Sequence, residues 1–256
     1  MTTPALSINL NKIALIRNSR DTEYPSVTDH AQRCIDAGAD GITVHPRPDQ
    51  RHIRADDCYA LADMLSVEFN IEGNPFAAPM KSDRKGVSDY PGFLEIVRRT
   101  RPAQCTLVPD SNAQLTSDHG FDLTQSGEQL KPVIEELKSL GCRVSLFMDP
   151  VISQIKLAKA VGADRIELYT GPYADAFSQG DHEASLQAFS DASAFATAIG
   201  LGVNAGHDLN LLNLETFRKA LPDLLEVSIG HAFTVDAIEL GLRDCIASYQ
   251  RCLGKH

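Results

Sequence analysis

Eight short apolar runs recur along the 256 residues, near 6–9, 41–45, 69–72, 104–108, 143–148, 165–169, 202–205 and 225–229. They are rich in Val, Ile and Leu, the composition of strands buried on both faces. Amphipathic helical patterns fill the gaps. One face of 26–37 carries Val27, Ala31, Cys34 and Ile35. One face of 55–67 carries Cys58, Leu61, Ala62 and Leu65, and 127–140 groups Leu130, Val133, Ile134 and Leu137. Ile238, Leu242, Cys245 and Tyr249 form a similar stripe in a last helix. Ala37-Gly38-Ala39-Asp40-Gly41 and Val161-Gly162-Ala163-Asp164 are near-copies, each a helix stop leading into a strand. Ser139-Leu140-Gly141 and Ala198-Ile199-Gly200 read the same way.

This β-α rhythm predicts parallel strands joined by crossover helices. Eight units favour an α/β architecture of the closed (β/α)8 TIM-barrel type, and the length suits a single domain spanning 1–256. An open doubly wound sheet is the alternative, but no Gly-x-Gly-x-x-Gly follows the first strand. Two segments interrupt the rhythm. Residues 73–91 read as an excursion after the third strand, most simply a surface loop. Residues 109–124 read as a long polar loop after the fourth strand, favoured as a lid.

A parallel barrel gathers the carboxyl ends of its strands at one face, where active sites form. In this chain those ends are polar: Asn9, His45, Glu72, Glu167, His207 and His231. His45 opens the stretch His45-Pro46-Arg47-Pro48-Asp49-Gln50-Arg51-His52, which puts two imidazoles and two guanidiniums within eight residues. Guanidinium forks match phosphate oxygens, and imidazoles exchange protons near neutral pH. A solvated basic loop is the plainer alternative. Glu72 directly follows an apolar run, where partial desolvation suits a carboxyl to proton transfer. Its plainer role is a salt bridge to an arginine at the barrel mouth. Glu167 lies between Ile166 and Leu168 and by alternation points inward, where His45 or His207 could partner it. Gly206-His207 and Gly230-His231 end consecutive strands. There, backbone N–H groups and a helix start commonly bind phosphate, and the glycines admit a close approach.

The net charge of −10 argues against a nucleic-acid surface. A local cluster of Arg17, Arg20, Arg47 and Arg51 could still attract anionic small molecules. Six cysteines without a C-x-x-C pair read as reduced, mostly buried thiols. No signal-peptide pattern opens the chain, and no apolar run is long enough to span a membrane. A soluble, cytoplasmic protein is expected. Metal is the main competing use of His45, Glu72, His207 and His231, but the first strand ends in Asn9-Leu10-Asn11 rather than a His-x-His pair. No metal is expected. A Schiff-base role for Lys12 is a further option.

The segments Ile8-Asn9-Leu10-Asn11-Lys12 through Arg20, Gly41-Ile42-Thr43-Val44-His45 with Arg47 and His52, and Leu107-Val108-Pro109 form a recognisable series. It continues with Ile166-Glu167-Leu168-Tyr169-Thr170-Gly171, Val203-Asn204-Ala205-Gly206-His207 and Ile229-Gly230-His231-Ala232. Together they resemble the pyridoxine 5′-phosphate synthase family from about residue 6 to 250. The resemblance implies a cofactor-free barrel, assembled as a homo-octamer (a tetramer of dimers). It implies a transferase-type condensation in vitamin B6 biosynthesis, joining 3-amino-2-oxopropyl phosphate to 1-deoxy-D-xylulose 5-phosphate. The products are pyridoxine 5′-phosphate, phosphate and water. It also implies His45 and Glu72 as general bases, His207 as general acid and Glu167 as a transition-state stabiliser. Asn9, Arg20, Asp208, Gly230 and His231 match positions that hold the aminoketone phosphate. Arg47, His52 and Ser117 (or Thr116) match positions for the deoxyxylulose phosphate.

This chain departs from the family pattern in places. Asn11-Lys12 stands where many members have Asp-His, so the substrate contacts of this first loop are open. Asp208 stands where many have Gly, and pairing with the substrate ammonium is the hypothesis for it. Ser117 replaces a common Thr, and 73–91 carries an insertion. Two other readings compete: a different phosphosugar lyase or isomerase barrel, and a non-catalytic barrel that binds phosphate esters.

Overall fold

The computed structural model describes residues 3–20 and 22–255; Met1 and Thr2, part of the stretch read for a signal peptide, lie outside them. The strands are β1 (Ala5–Asn9), β2 (Gly41–Val44), β3 (Glu68–Gly73), β4 (Gln104–Leu107), β5 (Arg143–Met148), β6 (Arg165–Tyr169), β7 (Gly202–Gly206) and β8 (Leu224–Ile229). The helices are α1 (Asn11–Asn18), α2 (Val27–Asp36), α3 (Ala55–Met64), α4 (Phe93–Thr100), α5 (Leu123–Ser139), α6 (Ile152–Ala160), α7 (Gly171–Ser178), α8 (Glu183–Ala198), α9 (Leu214–Ala220), α10 (His231–Leu240) and α11 (Leu242–Cys252). The strands pair in chain order, all parallel, and β8 returns to β1 to close the barrel. The TIM-barrel expectation holds, and the open-sheet alternative falls. Among the described residues no helix is long and apolar enough to cross a membrane.

The near-copies Asp40 and Asp164 do the same work. Each follows a glycine with positive φ, Gly38 at 105° and Gly162 at 96°. Each carboxylate then accepts a backbone N–H at the start of the preceding strand, from Leu6 at 2.7 Å and Val144 at 2.9 Å. The repeated motif therefore stitches the amino-terminal end of the barrel.

The strands differ from the expected apolar runs in one respect. Leu6, Ile8, Ile42, Val44, Ile166 and Leu168 are fully buried in the hydrophobic core. The residues alternating with them are polar and hydrogen-bond to one another inside the barrel. Ser7 Oγ lies 2.7 Å from Thr43 Oγ1, and Thr106 Oγ1 lies 3.1 Å from Asn70 Oδ1 and 3.3 Å from Glu167 Oε2. Deeper, Asn204 and Arg165 both donate to Glu226 at 3.2 Å. Buried polar groups are tolerable when they satisfy one another in this way.

The last helical stripe is broken. Gly241, at φ 79°, separates α10 from α11, and Ile238 is 73% exposed while Cys245 and Tyr249 are buried. A stripe at helical spacing cannot reveal that the axis turns between its members. The excursion at 73–91 folds back on itself through paired backbone bonds between Met80 and Tyr90. Arg84 ties it to the carbonyl of Asn18 at 2.7 Å, and Gln50 to the carbonyl of Ser88 at 2.7 Å.

Candidate active site

At the carboxyl ends of the strands lies a cavity of about 350 Å³. Asn9, Asn11, Lys12, His45, Arg47, His52, Glu72, Ser117, Glu167, His207, Asp208, Gly230 and His231 all line it. Arg20 does not; it is an exposed residue in the turn after α1. The anticipated arginine cluster is also largely neutralised by carboxylates. Arg17 is buried and grips Asp57 with both Nη atoms, at 2.5 and 2.9 Å. Arg51 pairs with Asp49 at 2.7 Å, and Arg47 pairs with Asp110.

Asn11 and Lys12 are not in a loop but form the first turn of α1. Asn9 Oδ1 accepts the Asn11 N–H at 3.0 Å, and Asn11 Oδ1 in turn accepts the His45 N–H at 2.9 Å. The two asparagines thus lock the end of β1 against the end of β2. Lys12 lines the cavity as a cation.

His45 stands between two carboxyls. Its Nδ1 is 3.9 Å from Glu72 Oε2, and its Nε2 is 3.9 Å from Asp110 Oδ2. Burial first, then Arg47, push the His45 pKa well below its ordinary range. Burial first, then Glu167, push the Glu72 carboxyl well above its own. Burial thus favours the neutral form of both groups, an imidazole able to accept a proton beside a carboxyl able to give one. The plainer role required an arginine beside Glu72, and among the described residues none pairs with it; Asn9 Nδ2 donates to it at 3.3 Å. His52 is pushed down to about 3, by burial first and Arg47 second, so its ring is neutral. Its Nδ1 accepts the Ile53 N–H at 2.9 Å.

Glu167 is pushed up to about 8, by burial first and then by Glu226, which itself rises to about 7. Its hydrogen-bond partner is Thr106 of β4, not His45 or His207. Gly206 gives it room: a Cβ there would collide with Glu167 Oε1. The missing side chain at 206 serves a buried carboxyl rather than phosphate approach. At Gly230 an added Cβ would sit 3.0 Å from the Asn9 Cβ, so the glycine brings the end of β8 against the end of β1.

His207 holds a left-handed backbone at φ 97°, rare for a side chain with a Cβ. Its Nδ1 lies 2.6 Å from Asp208 Oδ2, and its Nε2 lies 2.6 Å from Thr116 Oγ1. One carboxylate oxygen of Asp208 is therefore engaged by a histidine, where a substrate ammonium was anticipated. The ring edge stacks against Tyr169 at 5.5 Å.

Leu115, Thr116 and Ser117 of the 109–124 segment line one side of the cavity, and the segment runs into α5 at Leu123. Arg47 donates to the carbonyl of Gln114 at 2.8 Å, and Arg51 to those of Asn112 and Gln114 at 3.0 and 3.1 Å. Ser117 Oγ donates to Asp110 Oδ2 at 2.7 Å. Sequence reasoning gave Asp110 no role. No periodic pattern marks Asp110, whose importance arises from contacts across 63 residues of chain. Among the described residues no three His, Cys, Asp or Glu side chains stand together as a metal-ligand set.

Comparison with known proteins fits this geometry. The family described as "Pyridoxal phosphate biosynthesis protein PdxJ" matches residues 6–255. A pyridoxine 5′-phosphate synthase of Xanthomonas campestris pv. campestris (strain B100) is 58% identical over 247 residues, covering 95% of this chain and 94% of the relative. One from Xylella fastidiosa (strain M12) is 53% identical, covering 95% and 92%. Among solved structures, N-(5′-phosphoribosyl)anthranilate isomerase from Pyrococcus furiosus superposes with a TM-score of 0.55 at 15% identity, covering 98% of both chains. Tryptophan synthase from Mycobacterium tuberculosis gives 0.62 at 11% identity, covering 98% of this chain and 93% of that one. Those two likenesses speak to the barrel alone. The length and identity of the sequence matches decide the rest: this chain belongs to the PdxJ family of pyridoxal phosphate biosynthesis proteins.

Proposed function

We propose that this chain is a pyridoxine 5′-phosphate synthase that condenses 3-amino-2-oxopropyl phosphate with 1-deoxy-D-xylulose 5-phosphate. The observation that carries the reading is the meeting of His45, Glu72, Glu167 and His207 in one cavity, ringed by Arg47, Ser117, Gly230 and His231.

Amine addition to a ketone, dehydration, phosphate loss and aldol closure are serial proton transfers. His45, held neutral, takes protons; Glu72, whose affinity for a proton is raised by burial, relays them. His207 donates to the departing oxygen through Nε2. Asp208 at Nδ1 holds the imidazole in that orientation, so its carboxylate serves the acid rather than the substrate ammonium. Glu167, largely protonated at neutral pH, donates a hydrogen bond to oxygen that becomes negative in the transition state. No metal or cofactor is assigned a step.

Two phosphates need two pockets. Arg47, His52 and Ser117 form the one for the deoxyxylulose ester. Asn9, Gly230, His231 and the start of α10 form the one for the aminoketone ester, where helix N–H groups and the helix dipole favour an anion. Lys12 adds a point charge and Asn11 fixes His45. Arg20 serves the aminoketone phosphate only after the turn beyond α1 moves. The segment 109–124 acts as a lid that shields enamine intermediates from water. A cytoplasmic homo-octamer is part of this proposal. Self-association is supported by Ile16, Val235 and Ile238, which stand 46–73% exposed on α1 and α10.

Incubating the protein with both esters tests the reading. Pyridoxine 5′-phosphate and inorganic phosphate should form in equal amounts, persist in chelator and vanish in His45→Ala. Binding of both esters without product would leave a non-catalytic barrel. Turnover of one ester alone would point to a lyase or isomerase.

A further inference from the structure

Asp110 sits at the root of the 109–124 lid, two residues past Val108, and is 6% exposed. One of its oxygens, Oδ2, serves three groups that the preceding reading uses. Arg47 Nη2 donates to it, Ser117 Oγ donates to it at 2.7 Å, and His45 Nε2 faces it at 3.9 Å. Its backbone carbonyl accepts from Asn74 Nδ2 at 2.8 Å, tying the loop after β3 to the same point. The other carboxyl oxygen, Oδ1, is buried with no hydrogen-bond partner.

A buried carboxylate with one idle oxygen is costly, and such a group calls for a compensating role. Its location suggests which role. Arg47 and Ser117 line the cavity, whereas Asp110 does not; it stands behind them, towards a second cleft lined by Phe76, Met80 and Tyr90. From there it holds the Arg47 guanidinium and the Ser117 hydroxyl, one from each of two loops, at fixed positions before any ligand arrives. A guanidinium gripped from behind by a carboxylate loses less freedom when it meets a phosphate in front.

We propose that Asp110 is a positioning residue for the deoxyxylulose phosphate half of the site. Through one carboxylate oxygen it sets Arg47 and Ser117, and with them the lid, for that ester and not for the aminoketone ester. The inference rests on the assignment of Arg47 and Ser117 made above. It predicts a selective defect, because among the described residues the hydrogen bonds of Asp110 run to Arg47, Ser117 and Asn74 and none to the β7 or β8 side of the cavity.

Calorimetric titration with 1-deoxy-D-xylulose 5-phosphate tests it directly, independently of turnover. Asp110→Asn should weaken that binding about tenfold, the loss of roughly one charge-assisted hydrogen bond. Binding of 3-amino-2-oxopropyl phosphate should change less than twofold, and Asp110→Glu should recover most of the loss. Adding Ser117→Ala to Asp110→Asn should cost little more, because the two act as a unit. A thermal melt matching wild type confirms that the variant is folded. Unchanged deoxyxylulose phosphate binding, or equal weakening towards both esters, would overturn the proposal. If Asp110→Asn fails to fold, Ser117→Ala answers instead: it must weaken the same ester selectively, and no effect overturns the proposal. A wild-type protein that binds the esters but makes no product would sink the functional reading while leaving this result to stand or fall by itself.

Discussion

The two sides of the cavity are built differently. On the β2 and β4 side, side chains from separate loops grip one another: Arg47, Ser117 and His45 converge on Asp110, and all four are buried. On the β7 and β8 side, His231 is exposed and Asp208 and Gly230 are half-exposed. The groups there that the proposed function gives to an anion are backbone N–H groups at the start of α10. On that reading one pocket is preorganised by ion pairs beneath the 109–124 segment, the other by the geometry of a helix end. The first should discriminate its ligand through the alignment of a guanidinium fork, the second through simple proximity. The two also differ in what holds them: a lid root on one side and the barrel wall on the other.

The largest effect should come where the two sides meet. Glu72→Gln removes the proton relay beside His45, and kcat should fall about 10²- to 10⁴-fold with both KM values within a few-fold. A loss confined to KM would show that Glu72 binds rather than transfers protons. Next is Arg47→Lys, which keeps the charge but loses the fork held by Asp110. The KM for the deoxyxylulose ester should rise about tenfold. Equal KM values in the variant and wild type would mean that the buried ion pair is purely structural.

Beneath both pockets, Glu167 predicts a pH effect on stability. Its carboxyl titrates at about 8 when folded against an ordinary 4.5. Between those values the folded state binds a proton that the unfolded chain releases. The stabilisation is complete below the unfolded value and is lost as pH rises through the folded one. Glu167→Gln should therefore flatten the fall in Tm between pH 4.5 and about 8, the two values that bound that titration, and should melt higher than wild type at the alkaline end. A Tm profile as steep as wild type would contradict this. The smallest effect is Gly230→Ala. Its Cβ would press on Asn9 at 3.0–3.2 Å, raising the aminoketone KM a few-fold without touching the other ester.

The barrel was legible because its signals are local. A helix stop such as Ala-Gly-Ala-Asp is written in adjacent residues, and a polar residue ending an apolar run declares its own position. Proton-transfer candidates such as His45 and Glu72 could be read for the same reason. Asp110 could not, since its role depends on partners brought in by other loops. Gly206 was legible as a necessary glycine but not for its reason, which is the carboxyl of Glu167 on the neighbouring strand. Arg20 had the right chemistry, but chain proximity does not fix the direction of an exposed turn. The α10–α11 break was hidden because an apolar stripe keeps its spacing through a turn.

Steady-state KM values for both esters, measured in Arg47→Lys and Gly230→Ala, test the two-pocket account most directly. The account predicts a crossed pattern: Arg47→Lys raises only the deoxyxylulose phosphate KM, and Gly230→Ala only the aminoketone KM. Either variant raising both KM values equally, or the pattern appearing reversed, would contradict it.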